Sequence, residues 1–356
     1  MMALFLTEAD VQELFSVERA LERVEASLVQ QHSGRAVNRT RQRIFLPGSS
    51  LHYMAAALPD EKLLGMKIYT VVHDTLRFVV LLFNAESGDL VALLEADHLG
   101  RRRTGAASGV ATKYLARIHA CRLGMIGTGH QARTQLEAVA QVRKLQAVRV
   151  FSREATQRSQ FCKEMSQQLQ LEVEPAVSAE AAARFGEIVI TATTSSQPVL
   201  KGEWLRSGVH VNAIGANMTI RREIDDVTLA RASVIAVDSL EQAKEEAGDL
   251  VQGLASIPGG WDEVIELHDI IGGRRRGRIS EEEITLFKSS GIALWDVAAA
   301  GYIYEQARKR GRGRELPIWD FPTGARIRAG ERIRDRGPEQ IIEGSTETNR
   351  PNDAVL

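Results

Sequence analysis

The chain has 356 residues, of which 44% are hydrophobic and 26% charged, and its formal net charge is −1. One core rarely extends past about 250–300 residues, so two domains are expected, and a near-neutral charge gives no global attraction to nucleic acid or to a membrane surface. With only Cys121 and Cys162 a disulfide framework is not expected, which fits a reducing cytoplasm. The opening Met-Met-Ala-Leu-Phe-Leu-Thr has no basic segment and too short an apolar run for a signal peptide, and no apolar run approaches about 18 residues. A cytoplasmic protein that neither enters nor crosses a membrane is the expectation.

In chain order, Thr7-Glu-Ala-Asp10 reads as a capping box, and Val11, Leu14, Phe15, Val17, Ala20, Leu21, Val24 and Leu28 follow at helical spacing. One amphipathic helix is expected there. Residues 43–95 change to short β-rich runs, among them 65–72 and 78–83, with a turn at 86–89. Lys67 interrupts an apolar alternation in the first of these runs. Burial would lower its pKa and suit it to proton transfer; the plain alternative is a strand lysine that snorkels to solvent. The small-residue run 105–115 suggests a helix packed closely against a neighbour.

Between about 119 and 302 the pattern becomes strand, turn, helix, with strands expected at 123–126, 147–151, 187–193, 209–214 and 234–238 and helices at 133–145 and 155–170. Such alternation implies a parallel, doubly wound sheet of Rossmann type. Arginines gather at 101–103, 274–278 and 308–314. No aromatic residues interleave with the last two runs, so they read as solvated loops rather than a nucleic-acid face. Residues 311–356 contain several Gly, Pro and Arg and read as loosely ordered, apart from a possible anchor at 316–321.

Gly127-Thr-Gly-His-Gln-Ala132 follows the first expected strand and opens a helix. In that context Gly127 makes the tight turn, Gly129 lets backbone approach a pyrophosphate, and Ala132 is small enough for close helix packing. Backbone N–H groups at the helix start then face the anion. A Gly-rich turn of some other α/β fold is the competing reading. The second strand ends Phe151-Ser152-Arg153, where an NAD-specific site usually has an acid. An arginine beside a hydroxyl suits a 2′-phosphate, so NADP(H) is favoured and NAD(H) remains the alternative.

Taken in order and spacing, Met66-Lys67, Arg103-Thr104-Gly-Ala-Ala-Ser108, Gly127-Thr-Gly-His-Gln131, Val211-Asn-Ala-Ile-Gly-Ala216, Arg222-Glu-Ile-Asp225, Val237-Asp-Ser239, Glu246-Ala-Gly-Asp249 and Phe287-Lys-Ser-Ser-Gly291 resemble the ornithine cyclodeaminase/μ-crystallin family over about residues 5–307. The resemblance implies a homodimer with no nucleic-acid or membrane partner. Its α+β substrate-binding and dimerisation domain would be 1–118 with 303–330, its dinucleotide-binding domain 119–302, and 331–356 a flexible tail. Hydride would move between a nicotinamide and the carbon bearing nitrogen in a small amino or imino acid.

By the same resemblance Lys67 is the catalytic lysine, while Arg43 and Arg103 hold the substrate carboxylate, a role for which planar bidentate donors are suited. Arg39 and Arg41 compete with Arg43. Thr75, Arg103, Gly127, Gly129, His130, Gln131, Ser152, Arg153, Thr193, Ala213, Arg221 and Ser289 fall where the family contacts cofactor. Asn217 is a departure on the substrate side: ornithine cyclodeaminases carry an Asp there, and an amide takes no proton at neutral pH. Asp225 and Asp226 read as helix N-terminal charges rather than substitutes for it. The expected activity is therefore reduction of a small imino acid, ketimine or pyrroline-carboxylate in type, or amino-acid dehydrogenation in reverse. Cyclodeamination of ornithine and non-catalytic cofactor carriage are the alternatives.

Overall fold

The Thr7 capping box forms: Thr7 Oγ1 accepts from the Asp10 amide at 3.4 Å, and the Asp10 carboxylate accepts from the Thr7 amide at 3.0 Å. The helix it opens, α1 (Glu8–Leu14), is short, because Ser16 caps a second one, α2 (Val17–His32). One helical apolar pattern is thus divided between two helices. Between them Phe15 is extended and fully buried, so the break lets an aromatic ring enter the core. The computed structural model describes residues 2–318 apart from Asp74. Of the stretch 311–356 expected to be loosely ordered, Arg314–Pro317 instead forms a short strand; the flexible tail expected at 331–356, and the anchor beyond residue 318, lie outside the described residues.

The first sheet contains β1 (Met2–Leu6), β2 (Val37–Asn38), β3 (Gln42–Leu46), β4 (Ser49–Leu58), β5 (Leu63–Val72), β6 (Thr75–Asn84) and β7 (Leu90–Glu95). They run in the order β1-β7-β6-β5-β4-β2, with β3 paired to β4 and an eighth, short strand at Arg314–Pro317 beside β1. The ten-residue strands β4, β5 and β6 are antiparallel, and their register puts Lys67 between Met54 and Val80. Both neighbours are buried, so alternation alone sends the Lys67 side chain to the inner face.

The next helix, α3 (Asp97–Leu115), starts before the small-residue run and carries Arg101, Arg102 and Arg103 within it. Its glycines admit close neighbours: a Cβ on Gly105 would stand 2.2 Å from the Thr134 carbonyl oxygen, and one on Gly109 2.6 Å from Leu21.

The second sheet is parallel throughout, made of β8 (Arg122–Ile126), β9 (Ala147–Phe151), β10 (Glu172–Pro175), β11 (Ile188–Thr191), β12 (His210–Ala213), β13 (Ala232–Val237), β14 (Val264–Glu266) and β15 (Ile284–Lys288). The order β10-β9-β8-β11-β12-β15-β13-β14 shows the chain winding one way from β8 and then the other. The winding reverses between β8 and β11, and a ligand crevice opens at such a point beyond the strands' carboxyl ends. All five expected strands fall on this sheet. Helices α4 (Ala132–Val142), α5 (Ala155–Leu169), α6 (Ala179–Phe185), α7 (Asp226–Arg231), α8 (Leu240–Glu246), α9 (Gly248–Gly253) and α10 (Leu267–Ile271) complete this part.

The last helix, α11 (Ala293–Arg310), packs on β4, β5, β6 and α2, so the chain returns to the first sheet at Ala293. It runs straight through the crossing point expected at 302/303. Its Trp295 is fully buried in the core shared by the first sheet, α2 and α3. Among the described residues no helix is long and apolar enough to cross a membrane, and Cys121 and Cys162 are unpaired.

One arginine of the 274–278 run departs from the expectation of a solvated loop. Arg278 donates to the carbonyls of Leu115 at 2.7 Å, Glu283 at 2.6 Å and Val209 at 3.3 Å, and to Thr285 Oγ1 at 3.1 Å. It ties the end of α3 to β12 and β15. Arg276 is exposed. Arg278→Ala is expected to lower stability in urea unfolding by about 3 kcal/mol, since several carbonyls lose a charged donor. Arg276→Ala should stay within about 0.5 kcal/mol of the parent.

Candidate active site

The dinucleotide half of the site is shaped by glycines at the β8 and β12 ends. Gly127 has φ +110°, and a Cβ there would stand 2.4 Å from the Ala192 carbonyl oxygen. A Cβ on Gly215 would come within 1.9 Å of the Thr193 oxygen. Neither position admits another residue without moving the opposite loop. Gln131 and Ala132 follow at the start of α4, and the buried Gln131 Oε1 has no hydrogen-bond partner. Free backbone at a helix start, an orphaned amide oxygen and side-chain-free turns fit a dinucleotide pyrophosphate and its ribose.

Two motifs support these loops from below. The Glu223 carboxylate accepts from the Thr193 amide at 2.6 Å, Thr193 Oγ1 at 2.8 Å, Thr191 Oγ1 at 3.0 Å and the Gly215 amide at 2.6 Å. Burial raises its carboxyl above the ordinary range. Asp249 in turn accepts from the amides of Glu223 and Ile224 at 2.6 and 3.0 Å and lies 3.2 Å from the buried Lys288 ammonium. Asp225 caps α7 by accepting from the Thr228 amide at 2.8 Å, in keeping with a helix N-terminal role.

A cavity of about 900 Å³ runs from these loops to the first sheet. Of the expected cofactor contacts, Arg103, Gly127, Gly129, His130, Gln131, Ser152, Arg153, Thr193, Arg221 and Ser289 line it. Thr75 instead stands exposed at the start of β6, and Ala213 is buried one residue before the lining Ile214. At the β9 end Thr128 Oγ1 lies 3.1 Å from Ser152 Oγ, and Arg153 is exposed at the rim with Glu154 beside it. Ser289 Oγ donates to Asp238 at 2.9 Å, and the same carboxylate accepts from the Ser290 and Gly291 amides at 2.8 and 2.5 Å.

The other end of the cavity is cationic. Lys67 Nζ donates to Asp296 Oδ1 at 2.8 Å, and Arg103 Nε donates to the same oxygen at 3.0 Å. All three side chains are buried, Asp296 completely. Burial draws the Lys67 ammonium down to about 8; Asp296 opposes the shift, while Arg103 and Arg41 add to it. The snorkelling alternative is excluded by this geometry. Arg103 Nη1 and Asp296 Oδ2 are buried without partners, and of the two residues only Arg103 lines the cavity.

Arg41 and Arg43 divide differently from the resemblance. Arg41 lines the cavity and is buried, donating to Glu246 at 2.5 Å and to the carbonyls of Ser290 and Gly291 at 2.9 and 3.1 Å. Arg43 is half-buried beside it, paired to the other Glu246 oxygen and donating to the Asn217 carbonyl at 3.3 Å. Arg41 is therefore the one of the two that lines the cavity, with Arg43 beside it and less buried. Asn217 lines the cavity as expected.

Sequence reasoning missed Asp296 and Glu246 as site residues. For Asp296 a signal existed: it is the one charge in the apolar run Ala293-Leu-Trp-Asp-Val-Ala-Ala-Ala300. An acid there is buried and must meet a cation.

The profile of the family described as "Ornithine cyclodeaminase/mu-crystallin family" matches residues 1–311. A Δ1-pyrroline-2-carboxylate reductase of Bacillus cereus is 38% identical over 264 residues, 71% of this chain and 80% of its own. An alanine dehydrogenase of Archaeoglobus fulgidus is 33% identical over 330 residues, 90% of this chain and 99% of its own. Among solved structures, Thermococcus litoralis Δ1-pyrroline-2-carboxylate reductase in complex with NADH and L-proline superposes with a TM-score of 0.84 at 34% identity, covering 88% of this chain and 100% of that one.

Removing the acid that Lys67 and Arg103 share has a signed consequence. With Asp296→Asn the attraction that holds the ammonium up is lost while burial and the two arginines remain. A pH titration of lysine side-chain resonances by NMR should show Lys67 at about 8 in the parent and lower in the variant. An unchanged or higher midpoint would mean that Asp296 does not set the charge state.

Proposed function

Because the chain belongs to the ornithine cyclodeaminase/mu-crystallin family, we propose that it is an NADPH-preferring reductase of a small imino acid, ketimine or pyrroline-carboxylate in type, and in reverse an amino-acid dehydrogenase. The observation that carries the proposal is the buried Lys67–Asp296–Arg103 cluster at the end of a dinucleotide-shaped cavity. The nicotinamide, when bound, supplies or accepts the hydride. Arg103, with its free Nη1, takes the substrate carboxylate, and Arg41 adds a second positive wall. Lys67, poised near neutrality, holds the proton that the substrate nitrogen shares or receives. Asp296 fixes both cations, and the apolar faces of Phe78 and Met54 limit water around them.

A carrier protein would have no need of a lysine held in partial protonation between a carboxylate and two arginines. Cyclodeamination needs the substrate's second amine deprotonated, and the amide of Asn217 is at the position where a base would be required. NADPH preference rests on Arg153 and Ser152 at the end of β9, where a 2′-phosphate would meet a cation and a hydroxyl. A homodimer is supported by the exposed apolar rim of the first sheet, where Ile44, Phe45 and Leu46 of β3 are 53%, 61% and 68% exposed. Register places Leu76 in the same rank as Phe45, and Thr75 beside it on that rim.

Loss of NADPH absorbance with Δ1-pyrroline-2-carboxylate and with acyclic imines tests the activity. Reduction needs Lys67 protonated, so its rate should fall as pH rises through about 8, and amino-acid oxidation should rise over the same range. Lys67→Ala should abolish both directions, whereas Asn217→Ala should change reduction little. Conversion of ornithine to proline and ammonia by the parent protein would overturn the reading.

Cofactor choice is tested separately. Arg153→Ala should raise the KM for NADPH by about tenfold or more, the loss of one charge-assisted contact, and leave that for NADH nearly unchanged. Equal effects on both, or a parent preference for NADH, would reject the assignment.

A further inference from the structure

A second cluster of ligand-type side chains lies outside the cavity, where the last turn of α2 meets α10. His32 Nδ1 is 3.3 Å from Asp269 Oδ1, and His268 Nδ1 is 3.2 Å from the same oxygen. The three ligand atoms all lie within 4.8 Å of one another. Tetrahedral zinc with bonds of about 2.0–2.2 Å places neighbouring donor atoms about 3.3–3.5 Å apart, close to both observed separations.

The tautomer argument points the same way. His268 Nε2 lies 2.9 Å from Glu266 Oε2, and Glu266 is itself fixed by the Leu240 amide at 2.7 Å. An N–H given to that carboxylate leaves Nδ1 with a lone pair, the arrangement by which a carboxylate orients a metal-binding histidine. Nδ1 is buried and has no hydrogen-bond partner, although it faces Asp269. Between that lone pair and the carboxylate oxygen there is a place for a positive group, whether a proton or a metal ion. His32 is held in position because Gly272 has no side chain: a Cβ there would lie 2.1 Å from the ring. Arg274 Nη1, 3.1 Å from Asp269 Oδ1, supplies part of the positive charge. Its Nη2 also donates to the His32 carbonyl at 3.2 Å, and its side chain is 60% exposed.

We propose that His32, His268 and Asp269 bind a divalent transition-metal ion, zinc by the character of two imidazoles and one carboxylate, with water in the fourth position. The ion would brace α2 against α10, and Glu266 would act as the positioning residue for His268. It has no part in hydride transfer.

The test uses tag-free, full-length protein treated with chelator and dialysed. Calorimetric titration with ZnCl2 should show one equivalent bound per chain, and CoCl2 should give the visible bands of a tetrahedral centre. His32→Ala and His268→Ala should abolish stoichiometric binding, and Glu266→Gln should weaken it about 10–100-fold while keeping the stoichiometry. Zinc should also raise the melting temperature of the parent and not that of His32→Ala, a variant at a partly exposed side chain. No stoichiometric binding to the parent, or binding equal in parent and His32→Ala, would overturn the proposal.

Discussion

One oxygen of a fully buried carboxylate, Asp296 Oδ1, serves both Lys67 and Arg103. Arg41 lies buried nearby against Glu246, and the buried Asp238 also acts on it. Taking a charge out of water is costly, and it is chiefly burial that draws the Lys67 ammonium down to about 8; Asp296 opposes the shift, while Arg103 and Arg41 add to it. The charge state of Lys67 is thus set by burial working against one shared carboxylate.

The charged motifs of the second sheet have a different task. Glu246 engages Arg41, Arg43 and Gln242, Asp249 holds the 223–224 turn and Lys288, and Asp238 holds the Ser289–Gly291 turn. Each is a buried acid whose oxygens accept from backbone amides or cations, so each fixes a loop that borders the cavity. Glu223 does the same between the β11 and β12 ends. These acids shape the space without facing the ligand, and removing one would loosen a wall rather than delete a reacting group.

Local signals in the sequence were enough for five strands of the parallel sheet, because these are short apolar runs and the glycine turn follows the first of them; β10, β14 and the fully buried β15, whose Ile284–Lys288 carries a threonine and a lysine, gave no such signal. Lys67 was also legible, since strand alternation alone turns it inward between Met54 and Val80. The break at Ser16 was not, because Phe15 continues the helical spacing while leaving the helix, and only the core it fills explains the departure. Arg41 and Arg43 lie two apart, one just before β3 and one within it, and sequence spacing gives no way to tell which faces the cavity. Their roles are set by Glu246, about two hundred residues away in the chain, which takes one arginine on each oxygen. Asp296 was hidden for a similar reason: its partners come from β5 and α3, and neither is near it in sequence.

The reacting end of the cavity is shaped as much by missing side chains as by present ones. A Cβ on Gly100 would stand 3.1 Å from Lys67 Nζ, and one on Gly291 2.7 Å from Arg103 Nη1. Gly291 also has φ +81°, which a larger residue rarely adopts. Any side chain at either place would press directly on a cation whose position is already fixed by Asp296. The cation would then turn from the shared oxygen or the helix would shift, and in both cases the separation of ammonium and guanidinium would change. The two glycines therefore fix that separation from opposite sides: Gly100 from the helix that carries Arg103, and Gly291 from the loop that Asp238 holds.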